Sequence, residues 1–245
     1  MCQPQWLRIL LALFLSPLIF RLKQTLLVWG EQVVAQGAPG SLSDNITAVL
    51  NMLVDPKGER KYDKRLRPNY GGKPVDVGIT IHVSSISAVS EVEMDYTLDI
   101  YLRQMWTDPR LKFEGIEGDL TIGVEYMNSI WVPDTFFPNE KKSFFHQATT
   151  HNSFLRISKN GDVLTSQRLT VTATCPMNLH LFPLDSQECT LEIESYGYST
   201  TNIKYRWHKG EGSVTRPDLK LPQFTISGLH IREHEIILST GEIRC

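Results

Sequence analysis

The sequence of 245 residues lacks what several protein classes require. Its 25 Lys and Arg are balanced by 27 Asp and Glu, and a net charge of −2 provides no basic field for a phosphate backbone, so nucleic acid is not an expected partner. There is no Gly-rich phosphate loop, no Gly-x-Ser-x-Gly elbow and no His-Glu-x-x-His zinc motif. We therefore predict a protein that is not an enzyme and has no cofactor and no metal site.

Long apolar runs are scarce as well. Arg8 precedes a mostly hydrophobic run over residues 9–20, and compact residues at 33–35 suit cleavage by a signal peptidase after Ala35. Because Arg21 and Lys23 interrupt the run before the roughly 20 apolar residues that span a bilayer, we predict a secretory signal over residues 1–35. An uncleaved anchor reaching to Trp29 is the alternative. Beyond Ala35 no run approaches the roughly 18 apolar residues of a transmembrane helix.

Cysteine is rare, with four residues in the chain. Cys2 lies in the predicted signal and Cys245 is the last residue, so Cys175 and Cys189 are the natural disulfide pair in an oxidising compartment. Asn45 opens the sequon Asn-Ile-Thr, which makes it a candidate N-glycosylation site of a secreted chain.

Hydrophobic spacing divides the remaining chain into a helix followed by strands. Apolar residues recur at helical spacing from Ser41 to Val54, and the charged, Gly-rich and Pro-rich residues 57–74 are typical of a loop. Alternation of apolar and polar residues then predicts strands. These lie at 75–84, 91–106, 154–157, 163–175, 189–196, 203–207, 224–231 and 235–239. We predict a mainly β protein, an immunoglobulin-like antiparallel β-sandwich with a short N-terminal α-helix.

The second predicted strand, residues 91–106, has the clearest alternation. Its polar face includes Asp99, Tyr101 and Arg103, so an aromatic ring and a guanidinium project side by side. On a later strand, Ser166 and Arg168 also lie on the polar side. From the residues alone, an ion pair of Arg103 with Asp99 or with a neighbouring side chain is the alternative to a binding role.

The loop between Cys175 and Cys189 is the distinctive local element. Closing a loop of about 15 residues contributes about 3 kcal/mol by the loop-entropy model. Cys175 continues the apolar face of Leu169, Val171 and Ala173, so the disulfide would tie core-facing strand ends together and project the loop between them. A plain structural staple in a sandwich would have the same spacing.

The residues inside that loop are more specific. Phe182-Pro183-x-Asp185 between two cysteines resembles the signature of the Cys-loop, or pentameric ligand-gated ion channel, receptors. Further segments agree with it: 67–72, 106–111, 131–137 and 193–198. Over about residues 41–241 the chain resembles the extracellular domain of a GABA-gated channel subunit, most similar to the β-like subunits of insects. The resemblance implies a neurotransmitter-gated ion-channel ligand-binding domain over residues 36–245.

The resemblance further implies a homo- or hetero-pentamer with other receptor subunits, which binds a small GABA-like zwitterion between neighbours. Tyr101 and Arg103 match the family's complementary face, and Ser166 matches a hydroxyl position on a neighbouring strand. We call Tyr101, Arg103 and Ser166 the complementary group. The planar fork of Arg103 suits a carboxylate, and the Ser166 hydroxyl can donate beside it.

Five residues match the opposite, principal face, and we call them the principal group: Phe136, Glu194, Ser195, Tyr196 and Thr240. The resemblance implies that an aromatic ring and an acid there receive the ligand amine, and an ammonium over a Tyr ring gains about 0.5–2 kcal/mol. Glu194 and Tyr196 alternate with Ile193, which predicts that both point away from the core. Phe136 replaces the Tyr common in vertebrate β-type subunits, and the capping loop around Thr240 lacks the family's aromatic residues.

Phe182, Pro183 and Asp185 resemble the coupling loop that transmits ligand binding to four membrane helices. Because the sequence contains no such helices, we expect a truncated subunit that forms no pore alone and meets the membrane only through the missing helices or partner subunits. The full-length subunit is expected to be a chloride channel at the postsynaptic plasma membrane. This chain would pass through the secretory pathway and be extracellular or retained in the endoplasmic reticulum. The alternative is a secreted, channel-free protein that binds transmitter or modulates assembly.

Overall fold

The computed structural model describes residues 42–54, 62–216, 224–237 and 243–244, so the predicted signal lies outside the described residues. All of these belong to one unit, residues 40–245. The helix α1 spans Leu42–Val54. The strands are β1 Val75–Ser90, β2 Asp95–Thr107, β3 Leu120–Ile122, β4 Thr135–Phe136, β5 Glu140–Phe145, β6 Ser153–Ile157, β7 Asp162–Thr174, β8 Glu194–Ser195, β9 Ile203–Trp207, β10 Val214–Thr215, β11 Ile236–Ile237 and β12 Ile243–Arg244.

Eight strands form one sheet in the order β10-β1-β2-β7-β6-β3, with β9 also paired to β1 and β5 to β7. The mainly β, sandwich-like architecture with an N-terminal helix is confirmed, but the sheet is mixed rather than purely antiparallel. Both β9 and β10 run parallel to β1. Because β1 has 16 residues, both short strands fit along the same edge, β9 beside 75–79 and β10 beside 81–82.

The inner face of this sheet carries the core. Val77, Ile79 and Ile81 of β1 and Ile100 and Leu102 of β2 are buried there. Each such side chain removed from water contributes about 1.5–3 kcal/mol. Since successive side chains in a strand point to opposite faces, the polar residues between them form the outer face, as the alternation predicts.

Helix α1 follows its predicted span and packs one face on the core. Leu53 is buried, and the Tyr126 hydroxyl donates to the carbonyl of Leu50 at 3.0 Å. Burial raises the pKa of Tyr126 to about 12. Asn45 is exposed in the first turn of the helix, and its glycosylation stays a prediction.

The second strand starts later than predicted. Residues 91–94 form a turn, so Val92 and Met94 do not belong to the apolar face, and Val92 is 89% exposed. Met94 has a φ of 49°, a left-handed conformation that ends the alternation. From Asp95 onward, the side chains of β2 alternate between the buried and the outer face of the sheet as predicted.

The predicted strand at 189–196 is reduced to the two residues of β8. Side chains from other segments, instead of a neighbouring strand, make hydrogen bonds to the backbone of this segment. Asn139 donates to the Thr190 carbonyl at 2.7 Å and accepts from the Glu192 N–H at 3.1 Å, while Tyr96 also donates to Thr190 at 2.7 Å. These bonds satisfy groups that a neighbouring strand would otherwise pair.

The predicted strand at 224–231 is irregular, and of 235–239 the structure describes a strand only at Ile236–Ile237. The adjoining residues contact β9 through side chains. Glu233 accepts from the Trp207 N–H at 3.1 Å and pairs with Arg206 at 2.8 Å, and the Trp207 indole donates to the Arg232 carbonyl at 3.1 Å. The apolar alternation of residues 224–231 therefore does not correspond to a ladder.

Candidate functional site

The complementary group lies on two long paired strands. Arg103 of β2 is directly opposite Ser166 of β7, and Tyr101 is directly opposite Arg168. Directly paired residues project to the same face, so the structure brings Tyr101, Arg103 and Ser166 together on the outer face of the sheet. Both strands are fixed by hydrogen bonds over 13 residues each, which holds these side chains in register.

Exposure differs across this group. Arg103 is exposed, Tyr101 is half-buried and Ser166 is buried at 6%. The ring of His82 lies 6.0 Å from that of Tyr101. Arg103 is therefore the solvent-accessible member of the complementary group, and the buried Ser166 lies directly opposite it in the ladder.

Asp99 does not pair with Arg103 in the described part of the chain. It accepts hydrogen bonds from Ser85, at 2.5 Å, and from Thr170, and His146 lies 3.9 Å away. Burial raises the pKa of Asp99, but these hydrogen bonds and the nearby positive charges outweigh burial and hold it below its ordinary value. The ion pair between Arg103 and Asp99 that was considered as an alternative is therefore not formed.

The principal group lies on a much shorter ladder. Phe136 of β4 is opposite Glu194 of β8, and the Phe136 ring meets the Tyr196 ring edge-on at 5.4 Å. Tyr196 is 71% exposed and Glu194 is half-buried. The structure thus places an acid beside two aromatic rings, an arrangement suited to a cation. Thr240 lies outside the described residues.

Ser195 differs from the other described members of the principal group because its side chain turns inward. It is 3% exposed, its hydroxyl donates to Asp134 at 2.5 Å, and it accepts from the Tyr198 N–H at 3.0 Å. Ile193, which was expected to be the buried neighbour, is only partly buried. Contact of the Ser195 hydroxyl with a ligand stays a prediction, and it would compete with these bonds.

Asp134 contacts the segment that carries the principal group, although the sequence pattern alone did not single it out. Its carboxylate accepts from Ser195 and, at 2.6 Å, from the Gly197 N–H, and its carbonyl accepts from the Tyr196 N–H at 3.2 Å. Hydrogen bonds to a carboxylate are about twice as strong as neutral ones. Asp134 therefore holds the segment that carries Glu194 and Tyr196. A signal was available in the aspartate directly before Thr135 and Phe136, since Asp readily bonds backbone N–H groups.

Gln104 connects the principal group to the sheet from the inner side. Thr135 donates to the Gln104 carboxamide at 2.9 Å and bonds the Tyr205 hydroxyl at 2.8 Å. Burial is the main cause that raises the pKa of Tyr205, so this phenol stays protonated. Gln104 follows Arg103 directly and so points to the opposite face. The two groups therefore lie on opposite sides of one sheet.

The predicted disulfide between Cys175 and Cys189 is confirmed, with Cα atoms 5.0 Å apart. Cys175, Ala173 and Val171 are all buried, so the bond ties the core-facing end of β7 as predicted. The second strand end expected at Cys189 is not formed, because Cys189 is only partly buried and residues 189–193 are irregular. The loop that it closes projects outward, with Phe182 57% exposed and Leu184 90% exposed. Asp185 accepts from the Gln187 side chain.

In the described residues no group of three or more His, Cys, Asp or Glu side chains is placed to bind a metal ion. In that same part of the chain, no helix has the length and apolar character needed to cross a bilayer.

Two comparisons with known proteins bear on this site. The family described as the neurotransmitter-gated ion-channel ligand binding domain matches residues 48–241. The gamma-aminobutyric acid receptor subunit beta-4 of Gallus gallus is 44% identical over 209 residues, which cover 85% of this chain and 42% of that relative. The chain thus spans less than half the length of this relative.

Proposed function

The chain belongs to the neurotransmitter-gated ion-channel ligand-binding domain family, and from that premise we propose that it is the extracellular domain of a GABA-gated, chloride-conducting pentameric channel subunit. The ligand would be a small zwitterion held between neighbouring subunits at the plasma membrane. The relative whose name includes gamma-aminobutyric acid supports this choice of ligand.

The single observation that carries the proposal is the opposite facing of the two groups. Arg103 projects from the outer face of β2, while the next residue, Gln104, bonds the strand that carries Phe136 from the inner face. One copy therefore cannot close both groups around one small molecule. A neighbouring subunit that presents its principal group to this complementary group can, and repetition of that contact gives a closed ring.

The two groups carry opposite charges, and a zwitterion requires one of each at its two ends. The exposed guanidinium of Arg103, with the Ser166 hydroxyl beside it, provides donors for a carboxylate. Glu194 with the rings of Phe136 and Tyr196 provides an acid and aromatic surfaces for an ammonium. Phe182, Pro183 and Asp185 would form the contact with the membrane helices of a full-length subunit.

The test is saturation binding of GABA to the purified, secreted chain, with its oligomeric state followed by light scattering. We expect a concentration-dependent pentamer that binds GABA, and a loss of about 100-fold in affinity for Arg103→Ala, because a bidentate guanidinium–carboxylate contact is removed. Arg156→Ala is the matched control, since Arg156 is an exposed arginine on β6 that rests on the Phe154 ring at 5.8 Å. Equal affinity of Arg103→Ala and the wild-type chain would contradict the proposal, as would a wild-type chain without saturable GABA binding.

A further inference from the structure

The inner face of the sheet is not fully covered near the turn that joins β1 and β2. Val77, near the start of β1, is fully buried, whereas Ile86 and Val89 towards the end of the strand are only partly buried. Leu191 and Ile193, which pack against the same core, are partly buried as well. Incomplete cover over a contiguous apolar face is a feature of sites that bind another molecule.

A cavity of about 1500 Å³ lies over this part of the sheet. One wall is the apolar face of β1 and β2, a second is the loop between Cys175 and Cys189 with the residues after it, and a third is β9 with residues 224–235. The apolar lining includes Ile81, Val83, Leu98, Met177, Leu191 and Phe224. Small-molecule sites are typically clefts of about 300–1000 Å³ lined mainly by apolar side chains, so this cavity has room for a bulky or elongated apolar body.

Ion pairs tie the third wall to the rest of the cavity at one end. Glu233 pairs with Arg206 of β9 at 2.8 Å, and Arg232 pairs with Glu188 of the disulfide loop at 3.2 Å. Residues 224–231 form no ladder, and Phe224 at the far end is exposed. A molecule can therefore enter past this wall without breaking hydrogen bonds between strands.

The charges around the cavity indicate which ligand it favours. Seven acidic side chains and three arginines line it, so with neutral histidines the lining has an excess of four negative charges. Two of the arginines, Arg206 and Arg232, are the paired ones, and the third, Arg216, is exposed. Glu91 and Glu192 also line the cavity and form no ion pair with any residue that the structure describes. This excess of acids favours a cation.

Glu192 is the acid best placed to meet such a cation. Its backbone N–H donates to the Asn139 side chain at 3.1 Å, two residues beyond the Thr190 carbonyl that accepts from the Tyr96 hydroxyl. Tyr96 lines the cavity, and burial, followed by the charge of Glu192, raises the pKa of its hydroxyl. The Glu192 carboxylate is therefore close enough to the cavity wall to act on a group inside the cavity.

We propose that this cavity binds a lipophilic amine, with the apolar body of the ligand against the inner face of β1 and β2 and its ammonium group beside Glu192 and Glu91. The site lies within one subunit and on the face of the sheet opposite to Arg103, so the inference goes beyond the proposed function and does not depend on it. An ammonium group has only donors, which carboxylates accept, whereas an uncharged or anionic head group gains nothing from the excess of acids.

The experiment is equilibrium titration of the purified chain with three probes that share one tail: octylammonium, octanol and octanoate. We expect octylammonium to bind at least about 5-fold more tightly than octanol, and octanoate to bind more weakly than octanol, because only the head-group charge differs. For Glu192→Gln we expect octylammonium affinity to fall about 3-fold or more, while octanol affinity changes less than about 2-fold. Glu125→Gln, at an exposed acid that does not line the cavity, is the matched control and should change neither affinity.

A second variant tests the position of the tail. Ile86→Trp places a larger side chain in the cavity from the sheet side, so it should weaken octylammonium and octanol binding by a similar factor of about 5 or more. Because Ile86 is only partly buried, the larger side chain has room, and the urea midpoint of the variant should match that of the wild type.

Three results would overturn the inference. Equal affinities for octylammonium and octanol, or an equal loss of both in Glu192→Gln, would refute the selection for an amine. Unchanged octylammonium binding in a folded Ile86→Trp chain would place the ligand elsewhere. Self-association that excludes the probe, followed by light scattering in the same titration, would show that a second copy covers the cavity instead. Arg103→Ala should leave octylammonium affinity unchanged, so the inference and the proposed function fail separately.

Discussion

The complementary and principal groups differ in what holds them in place. Tyr101, Arg103 and Ser166 lie on β2 and β7, strands of 13 residues each that pair over their whole length. Phe136 and Glu194 lie on strands of two residues each. The backbone fixes the first group, whereas the second depends on a few side-chain bonds. Substitutions away from the ligand should therefore disturb the principal group more.

The disulfide gives the largest expected effect because it covalently joins the two regions. Cys175 follows the end of β7, and Cys189 begins the segment that leads to β8. We expect the double substitution Cys175→Ala with Cys189→Ala to lower the free energy of unfolding by about 3 kcal/mol, because a loop of about 15 residues is no longer closed in the unfolded chain. Urea denaturation measures this. The reduced wild-type chain should match the double variant, and a loss below about 1 kcal/mol would contradict the prediction.

Asp134→Ala gives the next largest effect and separates the two regions directly. It removes the acceptor of the Ser195 hydroxyl and of the Gly197 N–H, so we expect a loss of about 2 kcal/mol in stability and weaker binding of the ligand amine. Urea denaturation and GABA titration measure the two effects. Glu125→Ala, at an exposed acid, is the control and should change neither. Unchanged stability of Asp134→Ala would refute the holding role of this carboxylate.

A pair of serines sharpens the comparison further. Ser195→Ala leaves the Tyr198 N–H without its acceptor, and we expect it to cost about 1 kcal/mol in stability. Ser166→Ala should cost less stability than Ser195→Ala but weaken GABA binding, because the proposed partner of the Ser166 hydroxyl is the ligand. Thermal unfolding and titration of both variants test this contrast. The prediction would be contradicted if Ser166→Ala lowered the stability more than Ser195→Ala and left GABA binding unchanged.

The smallest expected effect is the pH dependence from Asp99. Its pKa in the folded chain lies below the ordinary value of 3.8, so its bonds to Ser85 and Thr170 stabilise the fold fully above that value. This contribution is lost as the pH falls through the lowered pKa. We expect Asp99→Asn to flatten the acid limb of the stability curve, as measured by urea midpoints between about pH 2 and pH 7. An unchanged acid limb would show that Asp99 does not contribute to it.

The sequence predicts the complementary group better than the principal group, and the reason is again the difference between long strands and short ones. In β1 and β2 alternation determines which residues are buried, so the facing of Tyr101 and Arg103 was predictable from residues alone. Near β8 alternation fails, because the bonds of Asn139 and Asp134 replace a ladder. A short side-chain-bonded segment has no periodic signature, and so the inward turn of Ser195 was not predictable.

Arg103 and Gln104 are joined by one peptide unit, yet Arg103 lies opposite Ser166 on the outer face while Gln104 bonds Thr135 of β4 on the inner side. In a ring of such subunits, each copy of β2 would belong to two successive binding sites, one on either side of its subunit. A shift of this strand when the first site fills would reach the second through a single residue. Cooperative occupancy, with a Hill coefficient above one, is the behaviour that this short connection favours.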